Sequence, residues 1–498
     1  MGPLVHTVGS AHHDERSGRG DRRAGRGTRS VPDHPTGPHH RDHPWRPVLV
    51  RMHFFAGILV GPLIVLAALT GILYVFASPL ERVVYAQELT VDPGGRTALP
   101  LQSQVEAAVR ATPTLRLSGV KAGDLGETTR VDFADPALPP MSAHSVYVDP
   151  FTAEVTGSLV TRHGGTPLKG WLGTLHADLH LGTPGRVYAE LASHWLAVLT
   201  IGGAILWWER SARHGGWRTR RFARRFGLLD RSRRGLHATL SWHGVVGAWT
   251  AVLVLVVALT GLMVGVSSGP RWTDLLASQG ASAPRISTVI PGATAAVAGP
   301  GQLPNGVSVD EVLRGAARVG VSEAVSLTAP KAPGQGWTAS ETDLTWPVNL
   351  DQAVIDPATG AAVRTLGWDS WPVLAQANRL LLVFHFGRTL GPLNDIQLVL
   401  SMVAVIALTW WGYRMWWRRR PHGPRLRFGR SPRRGAWRTA PRGLVAVATA
   451  LLIAWGIVVP VFGLSMLAFL IIDAAIGRAV GHRTPAGTPD VEMVGTGD

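Results

Sequence analysis

The chain has 498 residues, with 49 Lys and Arg against 33 Asp and Glu, a net charge of +16 and no cysteine. Without cysteine it forms no disulfide, no thiolate-held iron–sulfur cluster, no Cys-type zinc site and no covalent c-type haem attachment. Basic residues crowd the tail before Arg51 and two loops, Arg210–Arg234 and Arg414–Arg442, while 77–187 and 267–390 are balanced. No interleaved aromatics or recognition motif accompany the arginines, which argues against nucleic acid. The alternation is the positive-inside pattern, with the N terminus and basic loops in the cytoplasm and the lipid bilayer as partner.

Residues 1–46 are rich in Gly, Pro, Arg and His, lack apolar periodicity and are expected to be a disordered cytoplasmic tail. No signal peptide is expected, because the first apolar stretch starts too late and runs too long for a cleaved one. That stretch, 47–77, is the first of five expected spans, each long enough for about 20 core residues. Residues 78–170 are expected to form a small extracytoplasmic α+β domain, with a helix at 105–111 and a strand–turn–strand at 145–159 around Asp149-Pro150. A histidine-bearing outer segment leads into span two within 171–208, and 209–240 is a basic cytoplasmic loop. Span three is 241–266. The order then recurs: a second α+β domain over 267–372, with a helix at 309–320 and a strand–turn–strand at 352–366 around Asp356-Pro357. A second histidine segment and span four follow at 373–417, then a basic loop at 418–442. Span five, 443–475, contains Pro460 and reads as one kinked helix, since no polar turn interrupts it. Residues 476–498 are expected to be a second disordered tail.

The recurrence extends to side chains. HFFAGILVGPLIVLAALTG runs from His53 to Gly71, and HGVVGAWTAVLVLVVALTG from His243 to Gly261. Both end in Ala-Leu-Thr-Gly, and in both the histidine lies 18 positions earlier (71 − 53 and 261 − 243). The reading is a mainly α membrane protein, a two-repeat helical bundle with two small α+β extracytoplasmic domains. Parallel repeats of this kind pack about a pseudo-twofold axis along the membrane normal.

From about residue 47 to 475 the chain resembles the PepSY-associated transmembrane family. The resemblance rests on the His…Ala-Leu-Thr-Gly spans, the Asp-Pro-x-Thr strand–turn–strand domains and the Leu-His…Leu-His segment before span two. It implies PepSY-like extracytoplasmic domains and a place in the bacterial inner membrane. Members include proteins expressed under iron limitation, some of them haem-containing reductases of ferric siderophores. The PepSY domain alone has been linked to peptidase inhibition, so the family does not by itself settle function.

An ionisable side chain inside a membrane span is a functional-site hypothesis by default. His53 and His243 open spans one and three, towards the cytoplasm. His180, in LHLG (179–182), and His385, in FHFG (384–387), precede spans two and four, towards the outer face. A low-spin haem iron takes two axial ligands, and facing helices of a bundle supply neutral imidazoles. The constellation suggests two b-type haems, one near each face, with His53 paired to His243 and His180 to His385. His176 and His194 are alternative ligands, each without a histidine counterpart in the other half. Arg51 suits a haem propionate or, more simply, a lipid phosphate. Copper or zinc uses the same side chains, but no Met-rich segment or carboxylate cluster accompanies them. Structural, interfacial histidines are the bland alternative. Trp207, Trp208, Trp410, Trp411, Trp416 and Trp417 read as an aromatic belt, and Gly71 and Gly261 as points of close helix approach.

The sequence carries no dinucleotide fingerprint, phosphate-binding loop, Ser-His-Asp arrangement or HExxH. Electrons for a reductase would then come from a quinol or a separate donor protein, and reach ferric iron or a ferric siderophore outside. No catalytic residue is assigned. The rival readings are a non-catalytic PepSY-domain protein with a binding or regulatory role, and an iron or siderophore permease component.

Overall fold

The computed structural model describes residues 45–213, 218–292, 297–420 and 441–481. Nearly all of the expected N-terminal tail, residues 482–498 of the expected C-terminal tail and most of the second basic loop lie outside the described residues. Among the described residues three helices, Thr183–Ala212, Gly235–Met263 and Pro392–Arg418, are long and apolar enough to cross a membrane, and a bent pair of helices passes the same test when taken as one span.

That pair is α1 (Arg46–Leu59) and α2 (Gly61–Val75), which meet at 58°. Pro62 has no N–H to offer the Ile58 carbonyl, so the helix breaks there. The Tyr413 hydroxyl donates to that carbonyl instead, at 2.5 Å. Short helices α3 (Ala77–Val84) and α4 (Ala86–Leu89) lead out of the bundle to α5 (Leu101–Ala111). Strands β1 (Arg116–Lys121), β2 (Thr129–Ala134), β3 (Ser142–Val148) and β4 (Val155–Arg162) follow, and α6 (Pro167–Asp178) returns to the long helix α7 (Thr183–Ala212). After α8 (Arg220–Gly227) the order recurs with α9 (Gly235–Met263), α10 (Ser268–Ser278) and α11 (Val309–Ala317). Next come β5 (Val325–Thr328), β6 (Trp337–Glu341), β7 (Gln352–Ile355) and β8 (Ala362–Leu366), then α12 (Val373–His385) and α13 (Pro392–Arg418).

The two expected α+β domains share one antiparallel sheet, ordered β4-β3-β2-β1-β5-β6-β7-β8. The seam pairs Gly119 with Thr328, Val120 with Leu327 and Lys121 with Ser326. Separately, β1 and β5 would be open edges, and four strands with one helix would bury little. Joined, Val105 and Ala108 of α5 and Val312 and Ala316 of α11 enter a common core with Phe133, Leu327 and Trp337. The two helices also cap each other. Asp310 accepts from the Leu101 and Gln102 backbone N–H groups, both at 2.8 Å, and Gln102 Oε1 accepts from Val309 N–H at 2.9 Å.

The expected kinked fifth span is a sharp fold-back between α14 (Arg442–Val458) and α15 (Pro460–Gly481). A Cβ added at Gly463 would stand 2.6 Å from the Gly456 carbonyl oxygen, whereas a straight helix separates residues seven apart by about 10 Å. Pro460 removes a donor and pushes Val459 out of the helical region, to φ −129° and ψ 84°. The two glycines then let backbone meet backbone. Phe462 and Met466 of α15 pack with Trp195 of α7, and Trp195 Nε1 donates to Ser465 at 3.1 Å.

Asp310→Ala removes the acceptor for two helix-start N–H groups and should destabilise the sheet unit by about 1–2 kcal/mol. Hydrogen–deuterium exchange at the β1–β5 seam checks it, with faster exchange expected in the variant.

Candidate functional site

Two cavities lie along the bundle. The one at the basic-loop end has a volume of about 360 Å³ and that at the sheet end about 330 Å³. Both fall within the range of small-ligand sites, about 300–1,000 Å³. Ile64, Leu196, Val254 and Val405 line both cavities and form an apolar partition between them.

His53 of α1 and His243 of α9 line the lower cavity, their ring centres 6.2 Å apart and their planes at 87°. His243 Nδ1 bonds the Leu408 carbonyl at 3.0 Å, so this nitrogen carries the proton and Nε2 is left as a lone-pair donor. His53 Nδ1 is buried without a hydrogen-bond partner. Glycines shape the walls. A Cβ at Gly203 would come 3.0 Å from His53 Cε1, and Cβ atoms at Gly57 and Gly412 would meet nothing within 4 Å. Gly244 leaves room for the Trp207 ring, and Trp207 and Trp416 line this cavity. Arg46, Arg210 and Arg419 line it as well. Glu209 holds Arg46 at 3.3 Å and Arg213 at 3.1 Å.

His176 of α6 and His385 of α12 line the upper cavity. Each is held by the threonine of an Ala-Leu-Thr-Gly motif: Thr70 Oγ1 lies 3.1 Å from His176 Nδ1, and Thr260 Oγ1 lies 2.8 Å from His385 Nδ1. The glycine after Thr70 leaves space for the His176 ring, and the one after Thr260 makes room chiefly for the Ser193 hydroxyl. A Cβ at Gly71 would approach His176 Cε1 to 3.2 Å, and one at Gly261 would approach His385 Cε1 to 3.8 Å. Tyr74, also in the lining, stacks on His176 with ring centres 6.4 Å apart. Glu190, only 1% exposed, reaches from this lining to the start of α10. Its carboxylate accepts from Ser267 N–H at 2.7 Å, Ser268 N–H at 3.2 Å and the Ser267 hydroxyl.

Of the residues singled out from sequence, the structure brings His53 to His243 and His385 to His176. It does not bring His180 to His385. His180 is exposed, follows the end of α6 in a left-handed conformation (φ 58°) and packs on Trp171 with ring centres 4.8 Å apart. The LHLG and FHFG likeness misaligned the halves. Gly182 and Gly391 are the equivalent positions, both N-caps with positive φ (66° and 55°) at the starts of α7 and α13. Counting back six residues from each gives His176 and His385 (182 − 6 and 391 − 6). His194 is buried but lines neither cavity; its Nδ1 bonds the Glu190 carbonyl at 2.7 Å and its ring stacks on Phe462. Arg51 is buried with its guanidinium over Phe55 and lines neither cavity. Thr70, Thr260 and Glu190 escaped sequence reasoning, although the two threonines sat inside the recurring motif.

Among the described residues no three His, Asp or Glu side chains converge as a metal site. The imidazoles come in twos. A protein-held zinc site needs three or four ligands, whereas an iron with equatorial ligands from a macrocycle needs only two. An imidazole nitrogen sits about 2 Å from a bound metal ion and its ring centre about 1 Å farther, so rings on opposite sides have centres about 6 Å apart. The His53–His243 separation fits, as do the orphaned His53 nitrogen and the glycine-lined walls.

The model of the PepSY-associated TM region matches residues 50–419. The chain belongs to this family. The matched region of this PepSY-associated membrane protein holds both histidine pairs and ends before the α14–α15 fold-back. No curated protein matches the sequence.

Glu190→Ala leaves two N–H groups at the start of α10 without their acceptor and should cost about 2–3 kcal/mol. Thermal unfolding in detergent reads the loss. His180→Ala, at an exposed position, should leave the same melting curve unchanged.

Proposed function

We propose that this membrane protein holds two b-type haems and passes electrons across the bilayer to ferric iron or a ferric siderophore on the sheet side. The observation that carries the reading is the pairing of histidines in two cavities at opposite ends of one bundle. His53 and His243 would hold the lower group, and His176 and His385 the upper one. Such groups supply one-electron transfer when bound. The chain supplies the rest. Leu408, Thr70 and Thr260 orient the imidazoles, the glycines leave flat-walled space, and the four partition residues keep water out between the two sites. Arg46, Arg210 and Arg419 suit the carboxylates of a macrocycle at the lower rim. The positive-inside rule supports a cytoplasmic position for that end, where a quinol or a separate protein would be the donor, with the sheet outside an inner membrane. The family resemblance supports the ferric acceptor and the PepSY-like character of the sheet's two halves.

A reduced-minus-oxidised absorbance spectrum of the detergent-purified chain, with its haem-to-protein ratio, tests the reading. We expect low-spin b-type bands and two haems per chain. His243→Ala should lose one haem, His385→Ala or His176→Ala the other, and His180→Ala neither. A chain made with ample haem that shows no such bands sinks the redox reading and returns the sheet to the role of a binding module.

A further inference from the structure

The two faces of the sheet differ. Val120, Val131, Leu327 and Ala339 are buried on the face that α5 and α11 cover. Beside them in the strands, Lys121 lies level with Arg130 on one side and Ser326 on the other, and Ser326 lies level with Ser340. Side chains alternate along a strand, so this polar row projects from the opposite face. That face looks onto the sheet end of the bundle. Arg388, between α12 and α13, acts electrostatically on Lys121, on Arg379 of α12 and on Tyr74 in the lining of the upper cavity. Next to Arg388, the Thr389 carbonyl accepts from Trp346 N–H, in the β6–β7 connection, at 2.7 Å.

Where sheet and bundle face each other, negative charge is short. Among the described residues Lys121, Arg379 and Arg388 have no ion pair and no side-chain hydrogen bond, and neither have the hydroxyls of Ser326 and Ser340. Arg379 Nε is buried without a partner. The two acids that act on Lys121 are Glu127, which holds Arg82 at 2.9 Å, and Asp124, which is exposed. Asp132 holds Arg130 at 3.0 Å. Burial, and then Arg130, lower the Lys121 ammonium below the usual lysine range.

We propose that this junction is the docking site of the electron acceptor and selects an anionic, carboxylate-rich ferric chelate of the citrate type. Lys121, Arg379 and Arg388 pair with its carboxylates, and Ser326 and Ser340 donate to its oxygens. The inference rests on the ferric-acceptor reading above. One electron arriving by way of the His176–His385 site converts the chelated Fe(III) to Fe(II), while no bond to the chain forms or breaks and no proton moves. The chelate gains one negative charge in that step, and fixed cations at its oxygens favour the change. A cationic chelate would meet like charges there and be turned away.

Gallium(III) takes the same ligands as iron(III) but accepts no electron here, so binding is read apart from redox chemistry. The test is isothermal titration of the full chain in neutral detergent with gallium(III) citrate and with the gallium complex of a charge-neutral trihydroxamate. The citrate complex should bind about tenfold more tightly than the neutral one and weaken as salt rises. Arg388→Ala and Lys121→Ala should each cost it about tenfold without moving the neutral complex, and Arg388→Lys should keep most of the affinity. Equal binding of the two complexes by the unaltered chain overturns the inference and needs no variant to fold. So does citrate binding that ignores both alanine variants, or displacement of the complex by an equal concentration of inorganic phosphate or of phosphatidylglycerol in mixed micelles. A haem-loaded chain that reduces ferric citrate while its gallium binding ignores Lys121 and Arg388 loses only this inference. Cation-dependent gallium binding by a chain that holds no haem keeps the docking site and sinks the redox reading.

Discussion

A neutral imidazole inside an apolar bundle has two nitrogens to satisfy, one a donor and one an acceptor, and no water to satisfy them. For His243, His176 and His385 the protein supplies a partner to one nitrogen: the Leu408 carbonyl, Thr70 and Thr260. The other nitrogen is left for whatever occupies the cavity. Much of the surrounding architecture follows from this division. The glycines at 71 and 203 stand where a methyl group would press on a ring, and Thr70 stands one residue before the first of them.

The same economy governs the breaks in the helices. Pro62 frees the Ile58 carbonyl, and Tyr413 takes it; the start of α10 exposes N–H groups, and Glu190 takes them from another helix. In the sheet unit, Asp310 and Gln102 exchange acceptors between the two halves. Each irregularity is satisfied by a residue distant in sequence. Each therefore ties one element to another, and the bends that shape the cavities are part of the packing.

The fold-back of α14 on α15 stands apart, since it follows the last element of the family match and packs on α7 through Phe462 and Ser465. Its geometry shows how local chemistry misleads when read alone. Pro460 in an unbroken apolar run suggests a kink. The chain turns back because Gly456 and Gly463 let the two backbones touch, and nothing in hydropathy marks that contact.

Hydrophobic runs, the basic loops and the recurring His…Ala-Leu-Thr-Gly motif were enough by themselves to determine a membrane bundle with balanced domains between spans, and to single out His53, His243 and His385. Those features are local, because hydropathy and charge act residue by residue. Which histidine meets His385 was decided only in three dimensions. LHLG looks like FHFG, but α6 ends two residues before His180, and the register set by the starts of α7 and α13 makes His176 the partner. The union of two small domains into one sheet was likewise a tertiary outcome. It depends on two exposed strand edges, β1 and β5, finding each other across some two hundred residues, and backbone hydrogen bonding at an edge leaves no trace in the side-chain pattern.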